Sequence, residues 1–237
     1  ASYQGRLWFL VSTVESQNRL AKMGILTDED LRASLREYFK YRGKEQEVDP
    51  IKEKERELIG RKGVGVDFFP TPDNIIKRMI DDADIEPGMK ALEPSAGKGD
   101  IAVAMKEAGA EVDVVEMSGT LREILELKNL NIVDNDFTEF EGSGYDRILM
   151  NPPFSKGQDG AHIQRAYEML KPGGKLIAIA GEGIFFRGDS KSVEFREWLD
   201  DKGYSERLPE GTFKSSFNST GVNTRYVVIE KPDTQEQ

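Results

Sequence analysis

Cysteine is missing altogether from the 237 residues, so the chain has neither a disulfide framework nor thiolate chemistry. That absence fits a reducing, cytoplasmic setting. Histidine occurs once, as His162, too few for a histidine-based zinc site or a Ser-His-Asp triad, and no metal is expected. Long apolar runs are missing as well. None approaches the roughly 18–20 residues that span a bilayer, and the opening RLWFLV is too short for the apolar segment of a signal peptide. The chain begins at Ala1 without a methionine, which suits a piece of a longer protein. Positive charge is in deficit: 33 Lys and Arg face 43 Asp and Glu, a net charge of −10. That balance argues against a generally basic nucleic-acid binder and leaves room for a local basic cleft. The 38% of hydrophobic residues suffices for one sizeable core and a small appendage.

Two textures follow along the chain. Residues 1–66 carry dense charge of both signs and form a helical extension, in which Thr27-Asp28-Glu29-Asp30 reads as a helix start leading into Leu31, Leu35 and Phe39. The mixed charges from Lys52 to Leu58 read as a solvated helix face, and Gly60, Gly63 and Gly65 as a flexible joint. Residues 67–237 form a second domain of alternating elements. Strands are predicted at 90–93, 111–116, 131–133, 146–150, 175–180 and 225–230, and helices at 72–83, 98–108, 119–127, 159–170 and 192–202. Short apolar strands alternating with helices give an α/β fold, a largely parallel sheet covered on both faces. Such sheets bind ligands at the carboxyl ends of their strands, so unusual residues there matter most.

The first strand runs into Glu93-Pro94-Ser95-Ala96-Gly97-Lys98-Gly99-Asp100, a glycine turn that opens a helix. Gly97 and Gly99 allow the backbone to approach a ligand closely. The turn matches the permissive G-x-G-x-x-A form of the dinucleotide fingerprint, and Glu116 ends the next strand where ribose hydroxyls would sit, so a nicotinamide-dependent oxidoreductase is one reading. Glu93 favours another. A carboxylate entering the loop repels a pyrophosphate and suits a cationic ligand such as S-adenosylmethionine.

The fourth strand breaks at Asn151-Pro152-Pro153-Phe154, because proline has no ladder donor and fixes φ. An amine conjugated to a ring is a poor nucleophile, since its lone pair is delocalised. Accepting hydrogen bonds from both its N–H groups localises that pair. The Asn151 side-chain oxygen and the Pro152 carbonyl can accept them, and the two prolines hold these acceptors in place. Phe154 can stack on a planar target.

Together, Glu93–Asp100 followed by Asn151–Phe154 resembles the class I S-adenosylmethionine-dependent methyltransferases that act on exocyclic amines, above all the adenine-N6 DNA methyltransferases. Phe69-Pro70-Thr71-Pro72 is similar to their F-x-T-P element, and the order of the three motifs to the gamma arrangement. The resemblance implies a Rossmann-like methyltransferase fold with a mostly parallel seven-stranded sheet, and methyl transfer from S-adenosylmethionine to adenine N6. It implies that Phe69 and Thr71 contact the methionine end of the cofactor and that Pro72 starts the following helix. Glu93, Ala96, Gly97 and Gly99 would line its amino-acid portion, Glu116 the ribose, and Met117, Asp136 and Phe137 the adenine. Asn151, Pro152, Pro153 and Phe154 would hold the target amine. RNA bases and protein glutamine remain alternative substrates, although glutamine methyltransferases usually carry Tyr where this chain has Phe154. A non-catalytic cofactor-binding domain is the remaining reading.

Lys156, Arg187, Lys191 and Lys214 fall in loops that would form a positive rim for nucleic-acid phosphates if they converge. Phe185 and Phe186 either stack on or wedge out a base, or pack under their loop. His162 reads as a helix-surface or core residue. Nothing after the core is long enough for the family's target-recognition domain. Either the N-terminal helical region partly substitutes or contacts a partner chain, or specificity is low, the domain belongs to a larger protein, or the substrate is RNA.

Overall fold

The computed structural model describes residues 16–42, 49, 51–54, 70–213 and 223–233. Contacts divide the chain into two units, residues 1–49 and 50–237. In the first, helical residues 16–22 precede α1 (Asp28–Arg42). Thr27 and Asp30 cap α1 reciprocally: the Asp30 N–H donates to Thr27 Oγ1 at 3.1 Å and the Thr27 N–H to Asp30 Oδ2 at 2.9 Å. The hydrogen bond from the Thr27 hydroxyl, with those from backbone, holds the Asp30 carboxyl below its usual range.

Helical residues 51–54 belong to the second unit, where Ile51 packs on Leu121 and Ile124, and Lys54 pairs with Glu123. The transition expected between residues 66 and 67 lies outside the described residues. From there the elements run α2 (Asp73–Ala83), β1 (Lys90–Glu93), α3 (Asp100–Glu107), β2 (Glu111–Val115), α4 (Gly119–Leu127), β3 (Asn131–Asp134) and β4 (Tyr145–Met150). They continue with a short turn of helix at Ser155–Gly157, α5 (Gln158–Met169), β5 (Leu170–Gly181) and another turn of helix at Gly183–Phe186. The last are α6 (Ser190–Lys202), β6 (Gly203–Arg207) and β7 (Thr224–Glu230).

The seven strands form one sheet in the order β3-β2-β1-β4-β5-β7-β6. β1 to β5 pair in parallel, and β7 enters antiparallel between β5 and β6. Strand residues alternate between two cores, as the pleat requires. Leu149, Ile177, Ile179, Tyr226 and Val228 face Ile76, Met79, Ile101 and Met105 of α2 and α3. Ile148, Met150, Leu176, Ala178, Val227 and Ile229 face Ile163, Ala166, Phe195 and Leu199 of α5 and α6. Burial on both faces explains why these strands read as continuous apolar runs. β6 was not predicted: Gly-Tyr-Ser-Glu-Arg carries one apolar side chain, and Tyr204 is largely exposed. No helix among the described residues is long and apolar enough to cross a membrane.

Strand order reverses between β1 and β4, which opens a crevice at their carboxyl ends. The glycine turn and Asn151 flank that crevice.

Candidate active site

At the end of β1, the Ala96 N–H donates to the Val115 carbonyl at 3.0 Å and the Gly99 N–H to the Ala96 carbonyl at 2.7 Å. Gly97 and Gly99 are both left-handed, with φ of 56° and 79°. Gly99 also has no room for a side chain. A Cβ there would lie 2.6 Å from both Leu125 Cδ2 and Leu130 Cδ1.

Glu93 is 2% exposed, and its Oε2 accepts the Ala102 N–H at 2.7 Å. Ala102 is the third residue of α3, so this bond satisfies one of the amides that a helix start leaves without partners. Burial pushes the Glu93 carboxyl well above the usual carboxylate range; Asp100 and Glu116 add to the effect, while the Ala102 N–H and Lys128 oppose it. Glu116 accepts the Gly97 N–H and the Ser118 N–H, each at 2.8 Å. Burial raises its pKa too, against those same donors. Ionised, each of its oxygens keeps further acceptor capacity toward the cleft.

On the β3 side, Asp136 Oδ1 accepts from the Thr138 N–H at 2.8 Å and the Thr138 hydroxyl at 2.7 Å, and these bonds hold its carboxyl below the usual range. Phe137 is buried, its ring edge-on to His162 with centroids 5.4 Å apart. Met117 is exposed at the rim.

At the end of β4, Asn151 Nδ2 donates to Thr71 Oγ1 at 3.0 Å. The bond spans 80 residues of sequence and joins the F-x-T-P element to the Asn-Pro-Pro-Phe turn. With Nδ2 on the hydroxyl of the buried Thr71, Oδ1 is the acceptor on the other side of the amide. Pro152 is buried, Pro153 is half-buried, and half-buried Phe154 leans on Gly181, where a Cβ would lie 3.5 Å from Phe154 Cβ.

These groups meet in one cleft of about 490 Å³. Thr71, Glu93, Ala96, Gly97, Glu116, Met117, Asp136, Phe137, Asn151 and Pro153 all line it. Pro72 stands behind it at the N-cap of α2, its carbonyl accepting the Ile75 and Ile76 N–H groups. Gly99, Pro152 and Phe154 are outside the lining. Phe69 and Lys214 lie outside the described residues, as does the Lys156 side chain.

His162, expected on the helix surface or in the core, is half-buried on α5. It lines the cleft beside Phe137, its Nδ1 is buried without a hydrogen-bond partner among the described residues, and burial lowers its pKa. Gln158, one turn earlier on α5, lines the cleft with it. Their spacing of four, on the helix that follows Asn151, is the signal that could have found the pair.

The two phenylalanines part company. Phe185 packs edge-on against Phe195 with centroids 6.0 Å apart, whereas Phe186 is 64% exposed. Arg187 and Lys191 are exposed, and a Cβ on Gly157 would lie 3.4 Å from Arg187 Nη1, so that guanidinium sits against the turn following Phe154. Chemically, the cleft sets Glu93, Asp100, Glu116 and Asp136 against Lys98, which already pairs with Asp100 at 3.4 Å. Such a lining suits a ligand carrying positive charge and opposes a pyrophosphate.

Residues 75–186 match the family model of the methyltransferase small domain. The type II restriction enzyme and methyltransferase RM.BcgI of Heyndrickxia coagulans is 31% identical over 107 residues, 42% of this chain. The chain spans 17% of that relative's length. A Listeria monocytogenes protein assigned to the class I S-adenosylmethionine-dependent methyltransferases shares the fold with a TM-score of 0.59 at 16% identity, over 94% of this chain and 80% of its own. The assigned modification subunit of a type I restriction enzyme from Vibrio vulnificus YJ016 superposes with a TM-score of 0.62 at 20% identity, over 87% of this chain and 51% of its own. Sequence match and shared fold agree: residues 75–186 match a methyltransferase small domain, and the chain has the fold of the class I S-adenosylmethionine-dependent methyltransferases.

Proposed function

We propose that the domain methylates the exocyclic N6 amine of adenine in DNA. The orientation of Asn151 carries this reading: its Nδ2 is taken by Thr71 Oγ1, which leaves Oδ1 as an acceptor at the strand end beside the glycine turn. Asn151 Oδ1 and the Pro152 carbonyl accept the two amine N–H groups, localise the nitrogen lone pair and aim it at the methyl donor. No titrating base is needed for that step. Phe154 stacks on the flipped base, which Pro153 helps to position. Arg187, Lys191, Phe186 and the loop positions Lys156 and Lys214 contact the surrounding strand. Phe185, packed on Phe195, supports them from beneath.

The cleft fits the cofactor through its buried carboxylates. Bound there, S-adenosylmethionine supplies an electrophilic methyl group. Glu93, Ala96 and Gly97 hold its amino-acid end, with Thr71 and Phe69 beside them, while Pro72 and Gly99 support the backbone from behind. Glu116 accepts from the ribose, and Met117, Asp136 and Phe137 enclose the adenine. DNA is favoured as substrate because RM.BcgI and the Vibrio protein bear the names of restriction-modification enzymes. Target recognition then comes from a partner chain or from further parts of a larger protein.

Transfer of labelled methyl groups to unmethylated DNA, with RNA and protein assayed beside it, tests the proposal. Label is expected in DNA, recovered as N6-methyladenine after digestion. Label confined to RNA or to protein glutamine would replace it.

Glu93 gives a second expectation. A cationic group beside Glu93 favours its ionised form, so cofactor binding expels a proton, and affinity rises with pH until Glu93 ionises in the free protein. Titration calorimetry across pH, in buffers of different ionisation heat, is expected to show that release, and Glu93→Gln to remove it. The sign for stability is the reverse. Because the folded pKa lies above the ordinary value of 4.5, the protonated Glu93 contributes fully below about that pH and its contribution is lost as pH rises toward the folded value. Equal affinity at all pH values in the wild type would remove Glu93 from the cofactor site.

A further inference from the structure

At the same end of the sheet, Arg207 of β6 stands directly opposite Arg225 of β7. Like charges in direct cross-strand register destabilise a sheet unless anions meet them. Here one carboxylate does. Glu182 pairs with Arg207, and its Oε1 lies 4.0 Å from Arg225 Nε. Arg225 Nε is buried and makes no hydrogen bond among the described residues, while Arg225 Nη1 donates to Ser205 Oγ at 3.3 Å. Glu206, the next carboxylate in β6, pairs with Arg78 instead. The two arginines therefore outnumber their counter-ion, on a protein whose net charge is −10.

Aromatic rings hold both guanidinium groups. The Arg225 guanidinium lies 4.6 Å from the Phe185 ring centroid and 5.9 Å from that of Phe186; the Arg207 guanidinium lies 5.5 Å from Phe186. Phe186 is 64% exposed and the Arg207 side chain 63%. Arg196 braces the same turn by donating to the Ile184 carbonyl at 2.8 Å and the Arg187 carbonyl at 2.9 Å. Arg187, against Gly157 on one side and Gly183 on the other, links this patch to the turn after Phe154. Arg187 thus lies between the turn after Phe154 and the turn carrying Phe186, whose ring lies over the Arg207 and Arg225 guanidinium groups.

We infer that Arg207, Arg225 and Phe186 form the binding track for the DNA strand that carries the target base. The arginines meet backbone phosphates, and Phe186 stacks on a base neighbouring the one flipped out. This rests on the proposed DNA substrate and adds to it the surface that holds the strand. Neither arginine is near the cofactor's carboxylates, so the track acts on DNA affinity and leaves cofactor affinity alone.

The test measures binding of a fluorescent unmethylated duplex against salt concentration, with cofactor affinity and methyl transfer to the same duplex measured beside it. For Arg207→Ala, DNA affinity is expected to fall and the slope of log affinity against log salt to decrease by about one, as for loss of one phosphate contact. Arg207→Lys is expected to keep the slope. Phe186→Ala is expected to weaken binding roughly fivefold or more with the slope unchanged. Unchanged cofactor affinity in each variant shows that the fold is intact. If wild type binds and methylates DNA while Arg207→Ala and Phe186→Ala bind it equally well, the track is wrong, Phe186 included, and the proposed methyl transfer to DNA stands. A wild type that binds and methylates no DNA, or only RNA, overturns both.

Discussion

Replacing Asn151 with alanine is expected to lower methyl transfer by roughly 10²- to 10³-fold, the scale on which removal of one preorganised hydrogen-bonding group acts, while S-adenosylmethionine still binds. The reasoning is geometric. Thr71 Oγ1 accepts from Nδ2 at 3.0 Å, and in this arrangement Oδ1 is the acceptor on the other side of the amide. The acceptor is therefore in place before the substrate arrives, and the alanine variant loses a contact that strengthens as the nitrogen becomes tetrahedral. Such a loss appears in kcat and kcat/KM together. Stability changes little, because the chief bond broken links a half-buried amide to one hydroxyl, worth about 1 kcal/mol. Thr71→Val separates orientation from acceptance. It keeps the Asn151 oxygen but frees the amide to turn, so kcat is expected to fall by less than in the alanine variant. Full activity of Asn151→Ala in the transfer assay would mean that the amine is held by other groups.

The parts of this picture that were legible in the sequence share one cause. Ile148–Met150 of β4, Leu176–Gly181 of β5 and Tyr226–Ile229 of β7 are buried on both faces, so they must be apolar, and such runs stand out against charged helices. β6 is an edge strand with one neighbour, and only its pairing with β7 marks Gly203–Arg207 as a strand. The reversed direction of β7 was equally hidden, since a strand's composition carries no arrow. Within the site, the glycine turn and the proline break announced themselves because each departs from what its element needs. Their environments did not. Glu93 reads as a free carboxylate at a strand end, yet it turns under α3 to the Ala102 N–H and is buried there. Phe154 reads as exposed, but Gly181, 27 positions later, gives its ring a surface to lean on. Arg207 and Arg225 look like scattered surface charge until register sets them face to face. Motifs are local and were found; the dielectric around them and their distant partners belong to the packing.

Gly99→Ala is expected to cost about 2–4 kcal/mol of stability, from the left-handed backbone and the crowded side-chain position together. A φ of 79° alone penalises any residue with a Cβ. The new methyl would also stand 2.6 Å from Leu125 Cδ2 and Leu130 Cδ1. Leucine tips move readily at a surface, but Leu125 is fully buried and Leu130 nearly so, and both pack in the core shared by α2 and α3. The turn must yield instead, and with it the Gly99 N–H to Ala96 bond that shapes the cofactor cleft. Cofactor affinity is therefore expected to fall along with the melting temperature. Gly88 supplies the control. It is also left-handed, with φ of 86°, but a Cβ there would meet nothing within 4 Å. Gly88→Ala therefore carries only the backbone penalty, about 1–2 kcal/mol, and is expected to spare cofactor binding. Denaturant unfolding of the two variants, with cofactor titrations on each, separates the terms. Equal losses in both would show that Leu125 and Leu130 simply move aside, and that Gly99 serves the backbone alone.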